Sequence, residues 1–353
     1  MPHRKLSLQF PKLLPLAFTI LSCTASLFGQ SSSFTSFDAP GAGTGPGQGT
    51  FPVAINSEGV IAGYYFDNSY VSHGFLRQPN GAITEFTPPN LSEVFITGIN
   101  NSGQVIGKGN STSANVGFIR SPDGAYTIIS IAKSANLGVD AINNKGEVTG
   151  YYLDADSFWH SYVRDASGNI TVFDDPDATT AAGNGTFAWT INDRGEVGGY
   201  YNKNNITGIN RAFVRDRLGN FKNFDAVPGG STLMQPIAMN LSGEVTGYYG
   251  NATTLVTQCF LRDATGKLTD FDIPGSSASI ASGLNDAGTI VGYWMVQNQL
   301  LVDSFERDAA GNISTFASPT NNYGTFALSI NHNGQITGNW QDNQTYVYHG
   351  FVQ

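Results

Sequence analysis

One phrase, Asn-x-x-Gly-x-(Val/Ile)-x-Gly, occurs seven times, and no other feature constrains the fold as strongly. It begins at Asn56, Asn100, Asn143, Asn192, Asn240, Asn285 and Asn331, at spacings of 44, 43, 49, 48, 45 and 46 residues. Both glycines are kept in every copy, from Gly59 and Gly63 in the first to Gly334 and Gly338 in the last. A second phrase follows each copy: a small residue, an aromatic, an aliphatic and usually an Arg, then a Gly-bearing turn and a further apolar run. His160-Ser161-Tyr162-Val163-Arg164, leading to Phe173-Asp174-Asp175-Pro176, is a full example.

Each repeat reads as four short strands, A to D, with Gly/Asn/Asp punctuation and no helical periodicity. Asn-x-x-Gly between A and B fits a type I turn: Asn bonds the turn backbone, and the fourth-position Gly takes the left-handed conformation of a bulged hairpin. Small residues on strand A (Ala54, Gly98, Ala141, Thr190, Ala238, Gly283, Ser329) suit strands crowding an axis.

The seventh repeat stops at His349-Gly350-Phe351-Val352-Gln353 without a strand D, while Phe34-Thr35-Ser36-Phe37-Asp38-Ala39-Pro40 supplies one ahead of the first repeat. An open stack gains nothing from dividing a repeat between its ends, whereas a ring removes its open edges that way. The expectation is an all-β, seven-bladed β-propeller of four-stranded blades, with an N-terminal strand completing the C-terminal blade; a β-helix is the alternative. The division is a signal peptide at 1–29 and one seven-repeat domain at 30–353.

Ile142-Asn143-Asn144-Lys145-Gly146-Glu147-Val148-Thr149-Gly150 followed by His160-Ser161-Tyr162-Val163, and the closing His349-Gly350-Phe351-Val352, resemble the extracellular His-Ala-Phe (HAF) repeat family of bacteria. The resemblance covers residues 34–353. It implies export and a propeller-like fold, and names no reaction. Only His73, His160 and His349 keep the family's His; Val116, Arg211, Gln258 and Asp303 replace it.

The leader carries Arg4, Lys5 and Lys12 ahead of the apolar run 13–21 and small residues, the layout of a secretory signal, too short to span a membrane. Cys23 as a lipoprotein cysteine is the rival reading. The whole chain holds 18 Lys and Arg against 27 Asp and Glu, a net charge of −9. Loss of the leader takes this to 15 against 27, or −12, a surface that repels nucleic acid. Cys259 is then the sole cysteine, so no intrachain disulfide forms; its slot holds small residues elsewhere, which makes it a small buried hydrophobe.

Repeated residues read as scaffold. Equivalent histidines in different blades stand too far apart to share a metal, and His332 reads as solvated. The carboxylates Asp38, Asp174, Asp225 and Asp272 read as caps of the turn leaving the blade, with a Ca²⁺-binding or acid/base ring as the alternative. Paired aromatics such as Tyr151-Tyr152 read as blade-to-blade packing. Gly-x-Ser-x-Gly, His-Glu-x-x-His, Cys-x-x-Cys and phosphate-loop motifs are absent from the sequence, and Ala166-Ser167-Gly168-Asn169 lacks the Trp of an Asp-box.

Tight A–B and C–D turns share one rim; the B–C and D–A connections at 40–50, 66–72, 153–159, 175–186, 202–210 and 341–348 form the other. Loops free to vary on a rigid ring are where recognition concentrates. Tyr70, Asp154, Asp156, Phe158, Tyr346 and Tyr348 are the candidate ligand residues. The expectation is a secreted or cell-surface, monomeric, non-catalytic binder of a glycan or surface protein, without cofactor or transmembrane anchor. The alternatives are a polysaccharide hydrolase or lyase, with carboxylates near the axial opening, and a structural envelope or matrix component.

Overall fold

In the computed structural model the described residues are 33–111, 115–132, 134, 136–179, 181–203, 210–225, 231–251, 254, 256–296, 302–320 and 322–353. The leader read at 1–29 and most of the 202–210 loop lie outside them. The described residues form strands and no helix. Each repeat is an antiparallel A-B-C-D meander, such as Thr186–Ile191, Val197–Asn202, Asn210–Arg215 and Phe221–Phe224 in the fourth. In the seventh unit, Asn322–Ile330, Ile336–Asp342 and Tyr348–Val352 are joined by Thr35–Phe37, which pairs antiparallel to the last of them: Thr35 with Val352, Ser36 with Phe351, Phe37 with Gly350.

Every A strand neighbours the A strand of the next unit, and Asn322–Ile330 neighbours Gly49–Ile55 of the first. The A–B turns form as the sequence requires. Asn143 Oδ1 accepts from the backbone N–H of Lys145 (3.0 Å) and Glu147 (2.9 Å), and Gly146 sits at φ +77°. The same side chain reaches outward: Asn143 Nδ2 donates to Asn192 O at 2.9 Å. Equivalent bonds run from Asn56 to Asn100, Asn100 to Asn143, Asn192 to Asn240, Asn240 to Asn285 and Asn285 to Asn331. Asn331 Nδ2 returns to Asn56 O at 2.9 Å, so the seven bonds make a cycle. The residues around this cycle line one polar cavity of about 260 Å³.

Apolar packing lies between units rather than within them. Ala62 and Leu76 of the first unit pack with Val94, Val105 and Phe118 of the second. The aromatic pairs divide their work. The first ring meets the next unit's A strand (Tyr64 on Phe95 at 5.3 Å, Tyr151 on Phe187 at 5.2 Å), while the second stacks on its own unit's strand C histidine (Tyr65 on His73, Tyr152 on His160). Strand C arginines reach back: the guanidiniums of Arg77, Arg120, Arg215, Arg262 and Arg307 lie over Phe37, Phe86, Phe173, Phe224 and Phe271 of the preceding unit, at 4.5–5.2 Å. Desolvated contacts of this kind contribute about 2 kcal/mol each.

Strand A carries a bulge. Its register slips across Val53, Thr97, Trp189, Ile237, Ser282 and Leu328, three residues before the repeat Asn. Asp140 holds that position in the third unit, where the strand is divided into Asn136–Leu137 and Ala141–Ile142.

Candidate functional site

The six candidate residues fall into two groups in different units. Asp154, Asp156 and Phe158 share the third unit's B–C turn. Tyr70, Tyr346 and Tyr348 gather where the first and seventh units meet.

In the third unit, Asp154 Oδ1 accepts from the N–H of Asp156 (2.9 Å) and Phe158 (2.8 Å), which closes the turn and leaves Ser157 at φ +65°. Asp154 Oδ2 then meets His160 Nε2 at 3.2 Å, and His160 Nδ1 meets Asp174 Oδ2 at 2.9 Å. Phe158 packs edge-on against the same imidazole, with ring centroids 4.8 Å apart. Both carboxylates are therefore engaged by one histidine rather than set across an open cleft. Burial alone would lower the His160 pKa; hydrogen bonds and charge from Asp174 and Asp154 outweigh it and raise the pKa overall. The Asp154 carboxyl is held low, first by the Phe158 N–H and further by Asp156 and His160.

The two shifts act in opposite pH directions. A raised histidine stabilises fully below its unfolded value of about 6.5 and loses that contribution as pH climbs through its folded value. A lowered carboxyl stabilises above about 3.9 and loses its contribution on acidification. The clamp is strongest between these limits. His160→Gln should therefore flatten the decline in melting temperature between pH 6 and pH 8 (round values flanking the histidine range). An identical pH profile in parent and variant would refute the clamp.

The Phe-Asp carboxylates Asp38 and Asp174 depart from their expected turn-capping role, and the turn after Asp225 lies outside the described residues. Among the described residues Asp272 caps its turn, accepting from the Ile273 N–H (2.8 Å) and the Ser276 hydroxyl (2.6 Å). Asp174 bonds His160, Asp225 pairs with Arg211 Nε at 2.9 Å, and Asp38 bonds His349 Nδ1 at 3.0 Å. The physical reason is register: the residue after strand D lies beside the strand C position that carries His or Arg. In the first unit Thr87 takes the acid's place, its hydroxyl 3.0 Å from His73 Nδ1, while Asp67 meets Nε2 at 3.4 Å. The spacing of an acid six residues before the His and an acceptor fourteen after it was visible in the sequence. Among the described residues no group of three or more His, Cys, Asp or Glu is placed to hold a metal ion. Cys259 is buried, and burial pushes its thiol well up.

At the meeting of first and seventh units, the 40–50 loop passes between two turns. Tyr70 Oη donates to Pro46 O at 2.8 Å, and the Gly47 N–H donates to Tyr346 O at 2.8 Å. Tyr70 is 58% exposed at φ +60°, and Tyr346 46% exposed at φ +58°. Both adopt the left-handed conformation that glycine takes in the A–B turns, where a bulky residue is strained by about 1–3 kcal/mol. Tyr323 lies 5.8 Å from Tyr346, centroid to centroid. Tyr348 is partly covered, its ring 4.8 Å from Phe51. Its carbonyl oxygen stands so close to Gly49 (φ +116°) that a Cβ there would lie 1.9 Å from it, which fixes glycine at this crossing.

No family model matches the chain, and no curated protein matches it. Solved structures do. Streptogramin B lyase aligns over 91% of this chain and 97% of its own, at 14% identity and a TM-score of 0.57. Virginiamycin B lyase from Staphylococcus aureus aligns over 91% and 99%, at 14% identity and a TM-score of 0.56. Puromycin hydrolase aligns over 88% of this chain and 52% of its own, at 12% identity and a TM-score of 0.58. At these identities the likeness concerns fold alone. The chain is all-β, with β-propellers among its structural neighbours.

Proposed function

We propose that this is an exported, seven-bladed β-propeller that binds a glycan or a surface protein without catalysis, through the long-loop rim where its termini meet. The asparagine cycle and the pairing of Thr35–Phe37 with Tyr348–Val352 support seven blades and closure. The leader's layout and the His-Ala-Phe resemblance support export. One observation carries the binding reading: Tyr70 and Tyr346, both strained and both exposed, flank a single loop that is hydrogen-bonded to each. Both rings keep about half their surface open to solvent, and strained residues concentrate at ligand-binding positions.

The test compares parent, Tyr70→Ala, Tyr346→Ala and the double variant on an immobilised panel of bacterial and plant glycans and on intact cells. The double variant should bind at least tenfold more weakly, since two aromatic stacking contacts together exceed 1.4 kcal/mol. Tyr70→Gly should bind poorly yet melt no lower than parent, because relief of about 1 kcal/mol of strain offsets the lost Pro46 bond. Full binding by the double variant would overturn the reading.

A further inference from the structure

Two positions govern the packing between neighbouring units: the eighth residue after one repeat Asn and the fifth before the next. Tyr64 meets Phe95 in this way, Tyr151 meets Phe187, and Tyr293 meets Phe326 at 5.3 Å. Three further junctions keep one aromatic of the pair: Tyr200 with Gln235, Tyr248 with Ile280, and Asn339 with Phe51. Between the second and third units both aromatics are missing, replaced by Lys108 and Gly138.

A cavity of about 180 Å³ lies at that junction, lined by Phe95, Lys108, Asn110, Asn115, Asn136 and Leu137 with Gly109. It has room for about six waters, at ~30 Å³ each, or for one sugar ring. Lys108, Asn115 and Asn136 are exposed, so the cavity is open to solvent. Its polar groups are only partly used. Asn115 Nδ2 donates to Asn136 Oδ1 at 3.2 Å, and Asn110 Nδ2 donates to Glu93 Oε2 at 2.6 Å. Asn110 Oδ1 and Asn115 Oδ1 remain as acceptors and Asn136 Nδ2 as a donor. The Lys108 ammonium has no ion-pair or hydrogen-bond partner among the described residues. Asp140 feels its charge without pairing with it: burial raises the Asp140 carboxyl to about 7, and Lys108 opposes that shift. At neutral pH this carboxyl is divided between its two forms and offsets the ammonium only in part.

We propose that this gap is a subsite for a uronic acid, a sugar ring bearing a carboxylate. Lys108 takes the carboxylate, the three asparagines take hydroxyls, and Phe95 supplies an apolar wall. Hydroxyls both donate and accept, so they match a mixed set of amide oxygens and N–H groups. A neutral sugar leaves the ammonium without a counter-charge. Phosphate or sulfate sets its oxygens against the two amide oxygens, and a cation is repelled by Lys108. The subsite is separate from the Tyr70–Tyr346 rim and does not depend on it.

The test is calorimetric titration of the whole protein with galacturonic and glucuronic acid, with galactose, glucose, acetate and inorganic phosphate as comparison probes. At least one uronic acid should bind saturably, and at least tenfold more tightly than its neutral counterpart, acetate or phosphate. Lys108→Met should weaken it at least tenfold. Lys108→Tyr restores the ring that other units carry; it should abolish binding yet melt no lower than parent, which separates loss of the site from loss of the fold. Asn136→Ala should weaken binding several-fold. Tyr70→Ala and Tyr346→Ala should leave it unchanged. The proposal is overturned if neither uronic acid binds, if a neutral sugar or a simple anion binds as tightly, or if Lys108→Met keeps full affinity. Loss of uronic acid binding in the two tyrosine variants would place the ligand at the rim and overturn it as well.

Discussion

A chain beginning at Gly41 is expected to melt about 7 °C below one that keeps residues 33–40. The segment does more than add a short strand. Phe34 stacks on Phe351 at 4.7 Å, and Phe37 meets Phe75 edge-on at 6.1 Å while lying under the Arg77 guanidinium at 4.7 Å. Trp340 Nε1 donates to Ser36 Oγ at 2.9 Å, the Ala39 N–H donates to Thr50 Oγ1 at 2.9 Å, and Asp38 meets His349. Two half-buried phenylalanines contribute roughly 3 kcal/mol. One cation–π contact adds about 1–2 kcal/mol, and the hydrogen bonds about 1 kcal/mol each. A loss on the order of 5 kcal/mol is a large share of any domain's stability and moves a domain of roughly 320 residues by about 1.5 °C per kcal/mol. Phe37→Ala is the milder check, expected to cost about 2–3 kcal/mol in chemical unfolding. An unchanged melting curve for the truncated chain would refute closure through this segment.

The second large effect is expected at the asparagine cycle. Asn143 makes four hydrogen bonds while almost fully buried: two accepted at Oδ1, and two donated by Nδ2, to Asn192 O and to Glu147 Oε2 at 2.6 Å. Asn143→Ala should cost about 3 kcal/mol, because both its own turn and the next unit's carbonyl lose a partner. Asn143→Asp is the sharper probe. It keeps the turn-capping oxygen but places a second acceptor against a carbonyl and against Glu147. At pH 7 it should be at least as destabilised as the alanine variant. Its carboxyl, pushed up in the folded state, should make it recover stability as pH falls, since the protonated acid can donate. Equal stability of the aspartate variant and parent at neutral pH would show that the side-chain link carries no energy.

Repetition made much of this legible. Glycine at the left-handed position of every A–B turn, asparagine at the start of each of those turns and a fourth-strand segment ahead of the first repeat all follow from local geometry, which the residue type at each position records. Pairings between strands were harder to read. Asp174 was assigned to the turn after it because Pro176 follows closely; its partner, His160, lies fourteen residues back on the neighbouring strand. Residue types placed Tyr70, Asp154 and Tyr346 in connecting segments, but carried no sign that Tyr70 and Tyr346 meet over one loop while Asp154 and Phe158 stand in a different unit. Backbone sign at Tyr70 has no residue-type signature, since glycine is what that position favours. The bulge residues were invisible for a related reason: from Val53 to Leu328 no residue type recurs, and a search for sameness passes over them.

The join between Thr35–Phe37 and Tyr348–Val352 also has a consequence in time. Partners more than three hundred residues apart along the chain cannot meet until the later of them has been made, so Thr35–Phe37 lacks its partner strand while all the residues between are synthesised. Six meanders can form in order, each on the one before, while the first waits with one flank bare. Slow, late annealing of these two strands is the step at which such a chain is most exposed to pairing with a second copy instead of with itself.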